Sequence, residues 1–239
     1  MSRIDCGDLE HKEWQLQRVY LPGNDVHVWS ITISSSKYLM ADCDTILNVA
    51  EQDRANKYHQ PKDRERFIVS RVALRMLLGK YLGKAPAAVL FAKGQNHKPY
   101  LVNGELQYNV SHSADMVVIA IAKKVVGVDI EFTASDLEIA DIISDCFNEE
   151  EQGYINCSTQ KRLTFYKLWT RKEAILKAIA KGIDADIMHI PCLDRVHEVA
   201  QEYFASDYQL KVRSVELTNN YMLSVAFDAV IDNVVLMEW

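Results

Sequence analysis

Two long segments with helical periodicity, separated by β-branched stretches, constrain the fold of this sequence most strongly. Residues 63–82 carry apolar side chains at i, i+3, i+4 and i+7, and residues 161–181 show the clearest helical pattern. Gly83 and Gly182 follow the two segments, at positions where glycine commonly ends a helix. Residues 26–34 and 221–227 predict strands. Separate helices and strands of this kind favour an α+β fold over a doubly wound α/β sheet.

The remaining segments predict shorter elements joined by turns. Residues 42–58 have a helical pattern that Pro61 interrupts, and residues 135–155 predict a helix with a break near Asn148. Residues 116–122 and 125–132 are apolar runs on either side of Lys123 and Lys124, which predicts a hairpin-like pair. No internal repeat or linker is visible, and 239 residues suffice for one large domain or two small ones.

Composition places the chain among ordinary globular proteins, with 49% hydrophobic and 25% charged residues. No apolar run is long enough to cross a bilayer, and the acidic start of the chain predicts no secretory signal. The five cysteines are scattered without a C-x-x-C pair, so we expect neither a disulfide framework nor a zinc site. These features predict a cytoplasmic protein without membrane contact, and the net charge of −6 argues against a general nucleic-acid binder.

A basic block lies within this acidic chain. Residues 54–84 contain nine lysines and arginines against two acidic residues, and Arg64, Arg71 and Arg75 share one face of the predicted helix. The block indicates either an anionic ligand nearby or a solvated helix face.

A pair of carboxylates lies within the strand predicted over residues 125–132. Asp129 and Glu131 are two residues apart and therefore point to one side, while Val128 and Ile130 point to the other. Two carboxylates on one face fit a hard divalent cation such as Mg²⁺, which prefers oxygen ligands. An exposed polar face is the alternative.

Two further stretches carry polar side chains of chemical interest. Trp169, Glu173 and Lys177 succeed one another at i, i+4 and therefore share one helix face. Glu173 and Lys177 could form a surface ion pair, or the three residues could line a buried edge of the helix. Ser111 and His112 lie in the stretch Asn109-Val-Ser-His-Ser. Since no G-x-S-x-G elbow surrounds them, phosphate binding fits this stretch better than serine-hydrolase catalysis.

In order and spacing, these stretches resemble the surfactin-synthetase-type family of 4′-phosphopantetheinyl transferases. The shared patterns are N-x-S-H-S, G-(I/V)-D-(I/L)-E and W-x-x-K-E-(A/S)-x-x-K, and the resemblance covers roughly residues 26–185. The chain departs from the family at His97-Lys98-Pro99, where the family has G-K-P. This departure puts the backbone path near the adenine and the 3′-phosphate in doubt.

The resemblance implies two similar α+β halves related by a pseudo-twofold axis, with the active site in the cleft between them. Residues 1–124 would form the half that binds the 3′-phosphate and adenine of coenzyme A, and residues 125–239 the half that binds Mg²⁺ and performs catalysis. It implies Mg²⁺-dependent transfer of 4′-phosphopantetheine from coenzyme A to a serine of an apo-acyl or peptidyl carrier protein, with release of 3′,5′-ADP. We expect a monomer without nucleic-acid partners.

Residue roles follow from the same resemblance. The metal ligands would be Asp129, Glu131 and Glu173, and the catalytic residues Glu173 and Lys177. The residues that bind coenzyme A would be Arg54, Arg66, Lys98, Pro99, Ser111, His112 and Lys177. Glu173 would deprotonate the carrier serine, with Glu151 as the reserve candidate.

Two other classes of function stay open. The same carboxylates suit a Mg²⁺-dependent nucleotide hydrolase, although the chain lacks the Walker-type loop of the commonest version. A binding module without catalysis is the third possibility.

Overall fold

The computed structural model describes residues 1–10, 14–15, 20, 22–94, 96, 98–102, 104, 106–133, 138–182, 185–200, 203–204, 207–218 and 220–239. The strands are β1 (Ser2–Asp8), β2 (Val26–Thr32), β3 (Phe91–Lys93), β4 (Pro99–Leu101), β5 (Gln107–Ser113), β6 (Met116–Ala122), β7 (Val126–Phe132), β8 (Val196–Val199), β9 (Gln209–Leu217), β10 (Tyr221–Asp228) and β11 (Val234–Glu238). The α-helices are α1 (Cys43–Ile46), α2 (Val49–Asn56), α3 (Pro61–Leu82), α4 (Ala140–Cys146), α5 (Glu149–Cys157) and α6 (Lys161–Ala178). Short 3₁₀ helices cover Ser34–Asp42, Pro86–Ala88 and Ala185–His189.

Local sequence signals set the helix ends. Asn48 and Asn148 begin α2 and α5 with complete capping boxes, in which Glu51 and Glu151 return the hydrogen bond. Gly83 ends α3 in the left-handed conformation, with a φ of 61°, as the sequence predicts. Helix α6 ends at Ala178, a few residues before the predicted Gly182.

Two halves repeat one arrangement of strands and helices. The first half pairs β2 with β6 and β6 with β5, and the second pairs β7 with β10 and β10 with β9, all antiparallel. Equivalent elements begin one hundred residues apart, at 26 and 126, 49 and 149, and 61 and 161. The α+β class and the two similar halves are therefore confirmed.

The two ends of the chain cross between the halves. Strand β1 runs parallel to β9 in the sheet of the second half, and β11 runs parallel to β2 in the sheet of the first. Sheet pairing therefore does not follow the predicted boundary between residues 124 and 125 at the chain ends. The division of roles between the two halves stays a prediction.

The predicted hairpin of residues 116–122 with 125–132 is wrong. Strand β6 pairs with β2 and β5, whereas β7 pairs with β10 in the other sheet. Lys123 and Lys124 connect the two sheets instead. The predicted helix over residues 42–58 is likewise two short helices, α1 and α2, separated by Leu47 and the capping Asn48. The predicted break near Asn148 is confirmed.

Side chains of β6 show how the layers pack. Val117, Ile119 and Ile121 belong to the core beneath α3, while Val118 and Ala120 belong to a core shared with the second sheet. The two sheets therefore pack face to face, and α6 covers the second sheet as α3 covers the first. None of the helices in the described part of the chain is long and apolar enough to span a membrane.

Candidate active site between strand β7 and helix α6

A glycine brings helix and strand together. A Cβ on Gly127 would lie 2.1 Å from the Ala174 carbonyl oxygen and 2.4 Å from the Ala178 nitrogen. Only glycine therefore lets α6 lie so close to β7. The next residues on this face of the strand, Asp129 and Glu131, are brought against the polar face of the helix.

The predicted stripe on α6 meets these carboxylates. The Trp169 side chain hydrogen-bonds to Glu131, and the Lys177 Nζ lies 2.5 Å from Asp129 Oδ1. Asp129 is only 3% exposed and Glu173 only 8%. The prediction of a buried edge is confirmed, and the alternatives of an exposed strand face and a surface ion pair are wrong.

The carboxylates are short of positive partners. Asp129 Oδ2 is buried and has no hydrogen-bond partner within the described residues. Burial raises the pKa of Asp129 despite the Lys177 charge, and burial together with the Asp129 charge raises the pKa of Glu131. Burial, with the charges of Asp129 and Glu131, raises the pKa of Glu173 to about 7. The site therefore holds three carboxyl groups close together in a buried environment, which disfavours their ionised forms.

Alternate residues of β5 fasten the free edge of β7. Asn109 Oδ1 accepts from the Val128 N–H at 2.9 Å, and Ser113 Oγ accepts from the Phe132 N–H at 3.0 Å. The Ser113 hydroxyl donates to Glu131 Oε2 at 2.8 Å. The polar stretch predicted to bind phosphate therefore links the two halves and orients a carboxylate. The spacing of Asn109, Ser111 and Ser113, two residues apart on one face of β5, indicates in the sequence that these side chains act together.

Ser111 belongs to the same row. Its hydroxyl donates to Asp129 Oδ1 at 2.8 Å and accepts from Lys177 Nζ at 3.1 Å. In this arrangement the hydroxyl is engaged inside the protein rather than offered to a phosphate.

His112 lies on the opposite side of β5, at the surface. Partial burial, followed by the positive charges of Arg66 and Lys177, lowers the pKa of His112. Arg66 also pairs with Asp63 at 2.7 Å. The positive charges of Arg66 and Lys177 therefore act on His112, whose lowered pKa keeps its imidazole neutral near pH 7. Arg54 is exposed on α2, with its guanidinium 5.0 Å from the Phe67 ring centre.

Lys98 does not offer its ammonium to solvent. Its Nζ donates to the carbonyl oxygens of Lys177 at 2.6 Å, Ala178 at 3.0 Å and Val126 at 3.2 Å. All three N–H donors are used, so the geometry contradicts the prediction that Lys98 binds the 3′-phosphate. Pro99 is an exposed residue at the start of β4, and His97 lies outside the described residues.

Part of the basic block is structural. Glu51 pairs with Arg71 and, at 2.8 Å, with Arg75, which is almost completely buried. Arg75 also donates to the carbonyl oxygens of Pro86 and Val89. Of the predicted basic face of Arg64, Arg71 and Arg75, the last two are thus paired with Glu51 inside the first half.

The reserve base Glu151 is also structural. It is buried, pairs with Lys172 Nζ at 2.8 Å and accepts from the Cys192 thiol. Its other duty is the capping box of α5. The prediction of Glu151 as a base is therefore contradicted by its full set of partners. The N-x-x-E pattern of a capping box, readable at Asn148, carried this signal.

The donor set of the site fits a hard divalent cation. Asp129, Glu131 and Glu173 offer carboxylate oxygens, and Asp129 Oδ2 lacks any other partner in the described structure. As their side chains are placed, no three acidic, His or Cys side chains of the described residues converge into a closed metal cluster. Lys177 occupies the Asp129 Oδ1 position instead.

The fold and the site define an enzyme of the transferase class when they are compared with known proteins. Residues 125–226 match the family model of the 4′-phosphopantetheinyl transferase superfamily, and residues 32–124 match the model of the 4′-phosphopantetheinyl transferase N-terminal region. The chain belongs to the 4′-phosphopantetheinyl transferase superfamily.

Individual relatives agree with this assignment. The 4′-phosphopantetheinyl transferase HetI of Nostoc sp. is 31% identical over 183 residues, which are 70% of this chain and 77% of the relative. A putative 4′-phosphopantetheinyl transferase of Synechocystis sp. is 32% identical over 151 residues, 61% of each chain. The 4′-phosphopantetheinyl transferase Sfp of Bacillus subtilis is 22% identical over 66% of this chain and 80% of the relative. The surfactin-synthetase-type subfamily stays a prediction.

Proposed function

We propose that this protein transfers the 4′-phosphopantetheine group of coenzyme A to a serine hydroxyl of an apo-acyl or peptidyl carrier protein. The transfer depends on Mg²⁺ and releases 3′,5′-ADP. The serine oxygen forms a bond to the β-phosphorus of coenzyme A as the phosphoanhydride bond breaks, and the serine proton leaves to a base. We place the protein in the surfactin-synthetase-type subfamily, as a cytoplasmic monomer.

The partnerless Asp129 Oδ2 carries this proposal. A buried carboxylate oxygen without a partner costs free energy, and two further carboxylates nearby increase that cost. A bound cation removes the cost, because Asp129, Glu131 and Glu173 would hold it through oxygen atoms. When bound there, Mg²⁺ would neutralise charge on the pyrophosphate of coenzyme A.

Lys177 supplies a fixed positive charge at the same place. Its ammonium is oriented by Asp129 Oδ1 and Ser111 Oγ, so it needs little reorganisation to meet a pyrophosphate oxygen. Negative charge grows on the departing 3′,5′-ADP, and a cation already in position stabilises that charge most effectively.

Glu173 is the proposed base for the carrier serine. Its carboxylate is buried in the same cluster as Asp129 and Glu131, and a positioned carboxylate there would accept the proton as the serine oxygen attacks. Its place on α6, one turn before Lys177, would set it beside the reacting phosphate.

The 3′-phosphate side of coenzyme A is assigned to Arg66 and His112, with Arg54 on the neighbouring helix. Burial and, after it, the Arg66 charge lower the pKa of His112, so the two side chains are near each other; the arginine would supply charge to a phosphate and the neutral imidazole a hydrogen bond. Lys98 is not part of that site, because its N–H donors are already bound to three carbonyl oxygens.

Intact mass spectrometry of a panel of apo-carrier proteins tests the proposal. After incubation with coenzyme A and Mg²⁺, we expect at least one carrier to gain the mass of one phosphopantetheine on its serine. The control omits Mg²⁺ and contains EDTA. Release of nucleotide from coenzyme A without a carrier would instead indicate a hydrolase, and binding without turnover on every carrier would indicate a binding module.

A further inference from the structure

The last turn of α6 is held from the other half of the protein. The carbonyl groups that end a helix have no partner within it. Lys98 Nζ donates to two of them, Lys177 at 2.6 Å and Ala178 at 3.0 Å. A cation at this end is also favoured by the helix dipole.

A second side chain that precedes β4 also donates to a carbonyl group near the end of α6. Asn96 Nδ2 donates to the Ala180 carbonyl oxygen at 2.8 Å, just beyond the end of α6. Asn96 and Lys98, which we call the α6 clamp, both precede β4 in the first half. The clamp therefore connects the first half of the protein to the helix that carries the candidate catalytic residues.

The clamp also fixes the strand. Lys98 Nζ donates to the Val126 carbonyl oxygen at 3.2 Å, and Val126 is the first residue of β7. One ammonium group thus joins the end of α6 to the beginning of β7, beside the close contact at Gly127.

We propose that Lys98 is a positioning residue, which with Asn96 fixes the last turn of α6 against β7 and so aims Lys177 at Asp129. Lys177 contacts both the clamp and the candidate site. Its backbone carbonyl is held by the clamp, and its side chain lies in the site. Losing the clamp frees the backbone from which the Lys177 side chain extends. The catalytic consequence rests on the proposed function, whereas the structural consequence does not.

Hydrogen exchange of wild-type protein and variants tests the structural part. The reporters are the amides of Ile179 and Lys181, which donate to the carbonyls of Ile175 and Leu176. In Lys98→Met we expect these amides to exchange about tenfold faster, while the amides of α3 keep their rates. The matched control is Lys124→Met, which removes an exposed lysine and should change neither set.

Steady-state kinetics test the catalytic part. We expect kcat of Lys98→Met to fall about tenfold or more with both coenzyme A and dephospho-coenzyme A, because a displaced Lys177 affects both equally. The ratio of the two KM values should stay that of the wild type. Lys98→Arg, which keeps several donors for carbonyl oxygens, should lie closer to wild type than Lys98→Met.

Other outcomes overturn the inference. Unchanged exchange in Lys98→Met, with a loss confined to coenzyme A, would make Lys98 a ligand of the 3′-phosphate instead. Should Lys98→Met not fold, Asn96→Gly removes one clamp bond without strain, because Asn96 has a φ of 50°. Its Ile179 and Lys181 amides must then exchange faster than wild type. Exchange needs no turnover, so a failure of the proposed function leaves this result readable.

Discussion

The two halves of the molecule place opposite chemistry on the same scaffold. Strands β2 and β7 are equivalent strands of the repeat, although β7 lies at the edge of its sheet and β2 lies between β11 and β6, and helices α3 and α6 cover the corresponding faces. Positions one hundred residues apart are apolar in the first half and charged in the second. These pairs are Trp29 and Asp129, Ile31 and Glu131, Ala73 and Glu173, and Leu77 and Lys177. The scaffold itself therefore does not require charge at these places.

The carboxylates of the two halves differ in the same way. Burial alone would raise the pKa of Glu51, but the charges of Arg71 and Arg75 outweigh it and lower the pKa. Burial raises the pKa of Glu173 to about 7, and the Lys177 charge does not outweigh burial together with the charges of Asp129 and Glu131. Glu51 is paired for stability, whereas Glu173 shares the Lys177 charge with Asp129 and Glu131. Such under-compensated clusters are typical of functional sites.

The largest expected effect follows from removing the most buried carboxylate of the second half. We expect Asp129→Ala to lower turnover about 10³-fold, or about 4 kcal/mol of barrier, because it removes the proposed metal ligand and the partner of Lys177. Carrier modification measured by mass spectrometry gives the rate, and circular dichroism checks the fold. Glu216→Ala, which removes an exposed carboxylate near the end of β9, is the control. Normal turnover of Asp129→Ala at ordinary Mg²⁺ would remove this carboxylate from the site.

Glu151→Gln separates a structural carboxylate from a catalytic one. It leaves the fully buried Lys172 ammonium without its counter-charge, so we expect a loss of about 3 kcal/mol in unfolding free energy. Urea unfolding measures this loss. Glu150→Gln, on the same turn, removes an exposed pair with Arg195 and should cost little. A stable Glu151→Gln protein without turnover would restore Glu151 as the base.

Glu173→Gln is expected to affect kcat more than coenzyme A affinity. Glutamine keeps the shape but loses the basic oxygen, and a positioned base contributes roughly 10²-fold to the rate. Two carboxylates, Asp129 and Glu131, remain to hold the metal weakly. Rates are measured over a Mg²⁺ titration at saturating coenzyme A. Full recovery at saturating Mg²⁺ would mean that Glu173 is a metal ligand only.

The smallest expected effect lies in the first half. Arg66→Ala should raise the KM for coenzyme A about tenfold with little change in kcat, since contact with the 3′-phosphate acts as uniform binding. Dephospho-coenzyme A should be much less sensitive to the substitution. Arg64→Ala, two positions earlier on α3, is the matched control. Equal losses with both co-substrates would take Arg66 out of the 3′-phosphate site.

Local periodicity explains which features could be predicted from sequence. The period of two on β7 places Asp129 and Glu131 on one face of the strand, and the i, i+4 spacing on α6 places Glu173 and Lys177 on one face of the helix. Each pattern depends on a single element, so it can be read from the sequence. The separation of β6 from β7 could not be read, since strand pairing is decided by distant residues. Lys98 could not be read either, because its partners are backbone carbonyl groups, which leave no side-chain pattern.

The opposite roles of Glu173 and Glu51 are tested most directly by unfolding free energy at pH 8 in metal-free buffer. The pKa of Glu173 is higher in the folded protein, about 7, than its ordinary value of 4.5. The stability from proton binding is therefore complete below about pH 4.5 and lost as the pH rises through about 7. At pH 8 the carboxylate is ionised at a cost, chiefly because it is buried and also because Asp129 and Glu131 carry like charge, and Lys177 does not offset that cost in full. We expect Glu173→Gln to raise the unfolding free energy by about 1–3 kcal/mol, with the gain shrinking towards pH 5.

Glu51→Gln should lower the unfolding free energy by about 2 kcal/mol, because it removes the carboxylate that pairs with Arg71 and Arg75. A Glu173→Gln protein that is less stable than wild type at pH 8 would contradict the account.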